Sequence, residues 1–185
     1  MMNVHDPLPT TPDEFLRWNA YREGKREFVR GKVVEMMINV TQKHYRLASR
    51  LLGELFAKIE NNEWIVGAAD FGVKTGETIR YPDVMVHVAG ADSDLATNTP
   101  LFVCEVLSKS TMHIDLGDKA REYLQIDSLQ HYLILALDEP AAWLWSRDDN
   151  GKFGEPQLIT DREASLGLDG LCISIPVADI YRDIV

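Results

Sequence analysis

Two carboxylates stand inside runs that otherwise read as buried strand: Asp83 in "YPDVMVHV" and Glu105 in "PLFVCEVLS". Side chains alternate faces along a strand, so Glu105 shares one face with Val103 and Leu107, while Phe102, Cys104 and Val106 share the other. Asp83 follows Pro82, which donates no ladder hydrogen bond and therefore belongs at a strand start, a bulge or an edge. If the two strands are neighbours, the acids converge. Close, half-buried carboxylates repel, and one takes a proton unless a cation holds both ionised. A hard divalent ion suits that task, because Mg²⁺ is commonly held by one or two carboxylates with water and phosphate completing its shell. Such an ion polarises a phosphoryl oxygen and acidifies an attacking water, which is the chemistry of phosphodiester hydrolysis.

A lysine joins the two acids by spacing alone. In "LGDKAREYL" the apolar positions Leu116, Ala120, Tyr123 and Leu124 form a helical stripe, and Lys119 falls near its centre. An inward ammonium needs an anion, and Asp83 and Glu105 are the candidates. The alternative is a stem laid along the core with its charge in water. Glu35 and His44 are further candidates, the first as an additional acid and the second facing the cleft, although a surface or capping role accounts for either as well. His87 lies four residues beyond Asp83, roughly 13 Å at ~3.3 Å per residue, too far for direct cooperation. Trp143 and Trp145 share one strand face, suited to stacking bases and, more commonly, to packing.

The elements that must position these residues are legible in the pattern. "TPDEFLRW" announces a short helix, with Thr11 as cap, Pro12 at the first position and Glu14 completing a capping box. "REFVRGKVVEM" reads as a hairpin turning at Arg30-Gly31. A long helix spans 41–60, with Leu47, Leu51, Leu52, Leu55, Phe56 and Ile59 as one core-facing stripe. Strands follow in "EWIVGAADFGVKT" and "IRYPDVMVHV", and "PLFVCEVLS" has the continuous apolar character of a strand covered on both faces. A helix in "DLGDKAREYLQI", a hairpin of "HYLILAL" and "AAWLWSRD" across Asp138-Glu139-Pro140, and a final strand and short helix in "LCISIPVADIYRDI" complete the order. The class is α/β or α+β, a mixed sheet flanked by helices.

Length and composition bound the rest. At 185 residues and 45% hydrophobic content, the chain reads as one domain over 1–185. No internal repeat, low-complexity tract or linker divides it. The net charge of −10 argues against a protein that coats nucleic acid, without excluding an enzyme that binds cations first. No apolar run approaches the ~20 residues of a membrane span, and "MMNVHDPLPTTPDEF" resembles neither anchor nor secretory signal, so the expected address is cytoplasmic. Cys104 and Cys172 have no metal-site spacing and are read as reduced, buried small hydrophobes.

Together, "YPDVMV", "PLFVCEVLSKST", "DLGDKAREY" and "HYLILALD", preceded by "REFVRGKVVEM" and His44 at a helix start, resemble the Uma-type restriction-endonuclease family of the PD-(D/E)XK nuclease superfamily. The resemblance runs in order over about residues 10–180. It implies a restriction-endonuclease-like core, with Asp83 and Glu105 as the motif acids and the backbone carbonyl of Val106 completing the shell of Mg²⁺ or Mn²⁺. It also implies DNA as substrate. The motif lysine is missing two residues after Glu105, where Leu107 stands. The superfamily can carry that lysine on the following helix, and Lys119 with Tyr123 matches such a helix motif, in which glutamine and tyrosine are the usual pair. Lys109 replaces the family's more frequent proline between two serines, as a phosphate contact or a solvated loop residue.

Two classes of function follow: a metal-dependent endonuclease, expected as a homodimer because paired strand cuts suit a two-fold arrangement, or a non-catalytic dimerising or binding module that keeps the fold. An enzyme of small phosphate esters is disfavoured, since "GETIRYPDV" and the rest of the chain carry no glycine-rich phosphate loop.

Overall fold

In the computed structural model, residues 7–36, 39–107 and 114–184 are described; Lys109 lies outside them. Helix α1 (Pro12–Asn19) starts as its cap dictates, with Thr11 Oγ1 accepting the Glu14 N–H at 3.3 Å. The capping box is displaced by one residue: the Glu14 carboxylate accepts from the backbone N–H and hydroxyl of Thr10, at 2.8 and 2.9 Å, instead of from Thr11. Strands β1 (Arg26–Val29) and β2 (Lys32–Glu35) form the expected hairpin. Its two turn residues, Arg30 and Gly31, both have positive φ, 48° and 82°, as a tight two-residue hairpin demands.

Helix α2 (Gln42–Lys58) buries Leu47, Leu51 and Leu55 completely. Leu52 and Ile59 pack at the margin, but Phe56 is 61% exposed. The apolar face is narrower than the spacing suggests, because Phe56 stands one helical step, about 100°, round from Leu55.

Three strand systems follow from the remaining segments: β3 (Trp64–Ala68), β4 (Gly72–Thr75), β5 (Thr78–Arg80), β6 (Val84–Val88), β7 (Ala96–Thr97) and β8 (Pro100–Leu107), then, after helix α3 (Ala120–Tyr123), β9 (His131–Ala136), β10 (Ala142–Ser146), β11 (Gln157–Ile159), β12 (Ser165–Leu168) and β13 (Ile173–Pro176). The central sheet has the order β11-β10-β9-β8-β6-β3, a second has β2-β1-β5-β4-β7, and β12-β13 form a ribbon. Helix α4 (Val177–Ile180) closes the described chain. No helix among the described residues is long and apolar enough to cross a membrane.

Both faces of the central sheet are covered, as the continuous apolar run of β8 requires. On one face Phe102, Cys104 and Val106 of β8 join Leu47, Leu51 and Leu55 of α2. On the other, Val103 and Leu107 pack with Ala120, Tyr123, Tyr132 and Trp145. Trp145 sits 5.3 Å, centroid to centroid, from Tyr132, and Trp143 is half-buried beside the same cluster, so packing is the use the fold makes of the tryptophan pair. Cys104 is buried as expected. Cys172 is exposed, because it turns the chain into β13 with φ of 56° and presents no face to the core.

One topological feature governs the site. β8 and β9 are parallel, unlike the other pairs of this sheet, and parallel neighbours require a crossover over one face. The crossover carries a π-helical turn, Ile114–Lys119, and then α3, back across the face from which Glu105 projects. The i→i+5 winding of that turn shifts the side-chain phase, and Leu116, expected in the buried stripe, is 36% exposed.

His131, at the start of β9, is 2% exposed. Its Nε2 accepts the Gly170 N–H at 3.0 Å, so Nδ1 carries the proton and donates to Ser146 Oγ at 2.9 Å. Burial holds this imidazole neutral and lowers its pKa from 6.5 to about 4. The unfolded chain therefore binds the extra proton first, and the contribution of His131, up to about 3 kcal/mol, is complete above pH 6.5 and lost as pH falls toward 4. Urea denaturation across that window should show stability falling with acidification in the parent chain and a shallower slope in His131→Gln.

Candidate active site

Pro82 and Asp83 fall just outside β6, whose ladder begins at Val84 opposite Cys104 of β8. The register brings Asp83 beside Glu105. Freed from the ladder, the Asp83 carboxylate takes the N–H of Val106 on Oδ2 at 2.8 Å. The same oxygen lies 3.2 Å from His44 Nε2. His44 owes its place to the N-terminus of α2: Thr41 Oγ1 accepts its backbone N–H at 3.2 Å and sets the first turn. The His44 ring is buried, and its Nδ1 meets no hydrogen-bond partner among the described residues. Asp83 Oδ1 accepts no hydrogen bond among those residues, and the side chain remains 24% exposed.

Glu105, 4% exposed, is held from the other layer. Lys119 Nζ stands 3.0 Å from its Oε1, and the Tyr123 hydroxyl donates to the same oxygen at 3.1 Å. Lys119 and Tyr123 are four residues apart and therefore share one helical face. The inward lysine read from spacing is thus 4% exposed and paired with Glu105. Burial, then the charges of Glu105 and Glu27, push the Tyr123 phenol well above its ordinary pKa, which keeps it a donor. Leu107, which occupies the position of the missing motif lysine, is buried in the cluster that contains Tyr123. The ammonium arrives across the sheet face from the crossover.

Asp83, Glu105, Lys119, Tyr123 and His44 are therefore brought together by contacts to or between neighbouring strands. Glu35 is not among them: it lies exposed on outer strand β2, with its ion pair to Arg26 at 3.9 Å. It shares the strand face of Val33, but at the open end of the hairpin opposite Arg26, where an exposed acid is stable without a ligand. His87 stacks on Phe71 at 5.0 Å and takes no part.

Three charged residues that spacing singles out nowhere lie against the same helix. Arg80 is 4% exposed and bridges two buried acids: Nη1 donates to Glu27 Oε2 at 2.7 Å and Nε to Glu122 Oε2 at 2.8 Å. Burial opposes the Arg80 charge, but the hydrogen bond it donates to Glu122 and the charge of Glu27 outweigh it and raise its pKa. The signal available in sequence was weak: Glu27 and Arg80 alternate with Phe28 and Ile79, which pair across β1 and β5 and fill the opposite face.

The donor set suits a hard cation. Asp83 offers an unclaimed oxygen, Glu105 lies on the adjoining strand, and the Val106 backbone stands between them. Among the described residues no group of three or more His, Cys, Asp and Glu gathers at metal-binding spacing. An ion would rest on two carboxylates, backbone oxygen and its own water, the sparse oxygen ligation accepted by Mg²⁺.

The chain is similar to known proteins over most of its length. A family model described as "Uma2: Putative restriction endonuclease" matches residues 12–178. An uncharacterized protein of Synechocystis sp. is 30% identical over 184 residues, covering 95% of this chain and 94% of that protein. A second Synechocystis protein, also uncharacterized, is 28% identical over 141 residues, covering 73% of this chain and 79% of that protein. The crystal structure of "a putative nuclease belonging to DUF820 from Anabaena variabilis" shares the fold, with a TM-score of 0.75 at 14% identity over 96% of this chain and all of that one.

Breaking the buried Lys119–Glu105 pair from one side removes a 3.0 Å ionic partner from a charge that stays buried. Lys119→Met should lower stability by about 3 kcal/mol, and adding Glu105→Gln should cost clearly less than the sum of the two single changes in a denaturant double-mutant cycle.

Proposed function

The chain belongs to the Uma2 family, whose description is "Putative restriction endonuclease", and from that premise we propose that it is a metal-dependent endonuclease hydrolysing DNA phosphodiester bonds. The observation that supports this reading most is the convergence of Lys119 and Tyr123 on the Glu105 carboxylate, one strand from Asp83. In this reading Asp83, Glu105 and the Val106 carbonyl hold Mg²⁺ or Mn²⁺. The ion, when bound, supplies Lewis acidity to the phosphoryl oxygen and lowers the pKa of the attacking water.

The chain's own residues do the remaining work. Lys119 keeps Glu105 ionised in a buried setting and offers positive charge where the phosphorane gathers negative charge. Tyr123 fixes the Glu105 carboxylate through Oε1. His44 and the Val106 N–H hold Asp83 through Oδ2. In this reading the lysine reaches the acid from the end of the π-helical turn that precedes α3, in place of Leu107. Residues 1–185 act as one unit, in the cytoplasm, and pair as a homodimer to cut both strands.

Incubation of purified protein with supercoiled plasmid and Mn²⁺ or Mg²⁺ tests the proposal. Nicked or linear product is expected, and Asp83→Ala and Glu105→Ala should each lower the rate at least about a hundredfold, ~2.7 kcal/mol in barrier. Cleavage undiminished in both variants overturns the assignment. Absence of cleavage, together with no calorimetric binding of either metal at millimolar concentration, assigns the chain to the non-catalytic module class.

A further inference from the structure

We infer that Glu27, Arg80 and Glu122 form a positioning network that seats α3 and thereby sets Lys119 and Tyr123 against Glu105. The inference rests on the nuclease reading for its catalytic consequence.

Helix α3 is only four residues long, Ala120–Tyr123, and follows a π-helical turn. A helix of this length has no stability of its own and takes its orientation from what it touches. It touches two sheets at once. Tyr123 and Lys119 face the central sheet and meet Glu105. Glu122, one residue and about 100° away, faces the second sheet and meets Arg80 of β5. The Thr75 hydroxyl of β4 donates to the Glu122 carbonyl at 2.9 Å, and Arg30 in the β1–β2 turn lies 3.5 Å from its Oε1. Glu27 of β1 takes the other arm of Arg80 and also accepts the Tyr81 N–H at 3.5 Å, two residues before Asp83.

The planar guanidinium matters here. Its Nε and Nη1 reach two carboxylates in different directions from one rigid group, a geometry that a lysine ammonium on a flexible stem does not reproduce. The network therefore ties the segment that leads to Asp83 and the helix that serves Glu105 to a single buried cation. None of its three members contacts Asp83 or Glu105, so they are positioning residues.

Arg80→Lys and Glu122→Gln test this, since both retain size and polarity. In each, kcat for plasmid cleavage should fall at least tenfold per folded molecule, with KM for DNA unchanged within twofold. In the double variants with Lys119→Met, the loss should be no greater than in Lys119→Met alone, because both changes remove the same placement. Losses that multiply, or an unchanged kcat per folded molecule, overturn the network's role.

A second readout needs no activity and separates failure of this inference from failure of the nuclease reading. Lys119 is buried, so reductive methylation followed by mass spectrometry should leave it unmodified in the parent chain and label it in Arg80→Lys and Glu122→Gln. The near-ultraviolet circular dichroism of the tilted Tyr123–Tyr132–Trp145 cluster, with centroids 5.2 and 5.3 Å apart, should weaken in the same variants. A Lys119 that stays protected and an aromatic signal that stays unchanged overturn the inference whether or not the protein cuts DNA.

Discussion

A carboxylate in the middle of a sheet is the constraint on which this structure turns. Glu105 sits in β8, between β6 and β9, on a face filled by Val103, Leu107 and Tyr132. An ionised acid there loses its hydration and must recover the cost from partners supplied by the fold. Its neighbours in the strand are apolar and cannot help. The partners have to come from outside the sheet, and the parallel arrangement of β8 and β9 provides the route, because the connection between them must cross that face. Lys119 and Tyr123 are delivered by this crossover.

The delivery is accurate only if the crossover has a fixed seat. A π-helical turn and a four-residue helix cannot supply one through their own hydrogen bonds. The second sheet supplies it with charge: Arg80 joins Glu122 of α3 to Glu27 of β1, and all three are at most 8% exposed. Two buried cations, Arg80 and Lys119, thus stand on either side of one short helix, each neutralised by acids on the surface it faces. Asp83 is served separately, by the capped first turn of α2 and the Val106 N–H. The two acids of the site are held from opposite layers and meet at the junction of β6 and β8.

This arrangement also accounts for a strongly acidic chain with a nuclease-type fold. The net charge of −10 leaves little general attraction for a phosphate backbone. The two buried cations beside α3 are already paired, Lys119 with Glu105 and Arg80 with its two glutamates. In the proposed reading, affinity for a polyanion would depend on charge brought to the acids, which an oxygen-ligated divalent ion would provide.

Sequence by itself determined which elements form and which residues are chemically out of place. Period-2 and period-3.6 patterns located the hairpin at Arg30-Gly31, helix α2 and the buried strand β8, because side-chain burial repeats with backbone geometry. The same logic marked Asp83, Glu105 and Lys119, since a charge in an apolar pattern needs an explanation. It failed where burial is not periodic: Phe56 and Leu116 fit apolar stripes and are exposed, and Cys172 fits a strand and sits in a turn. Only the tertiary structure decided which charges meet. Glu35 and His44 looked equivalent in sequence, yet one faces solvent and the other Asp83. Glu27, Arg80 and Glu122 are separated by 53 and 42 positions, and their contact exists only because β1 pairs with β5 and α3 lands beside them. Local pattern records how each segment meets its own core; pairing between distant charges is a property of topology, and no local pattern encodes it.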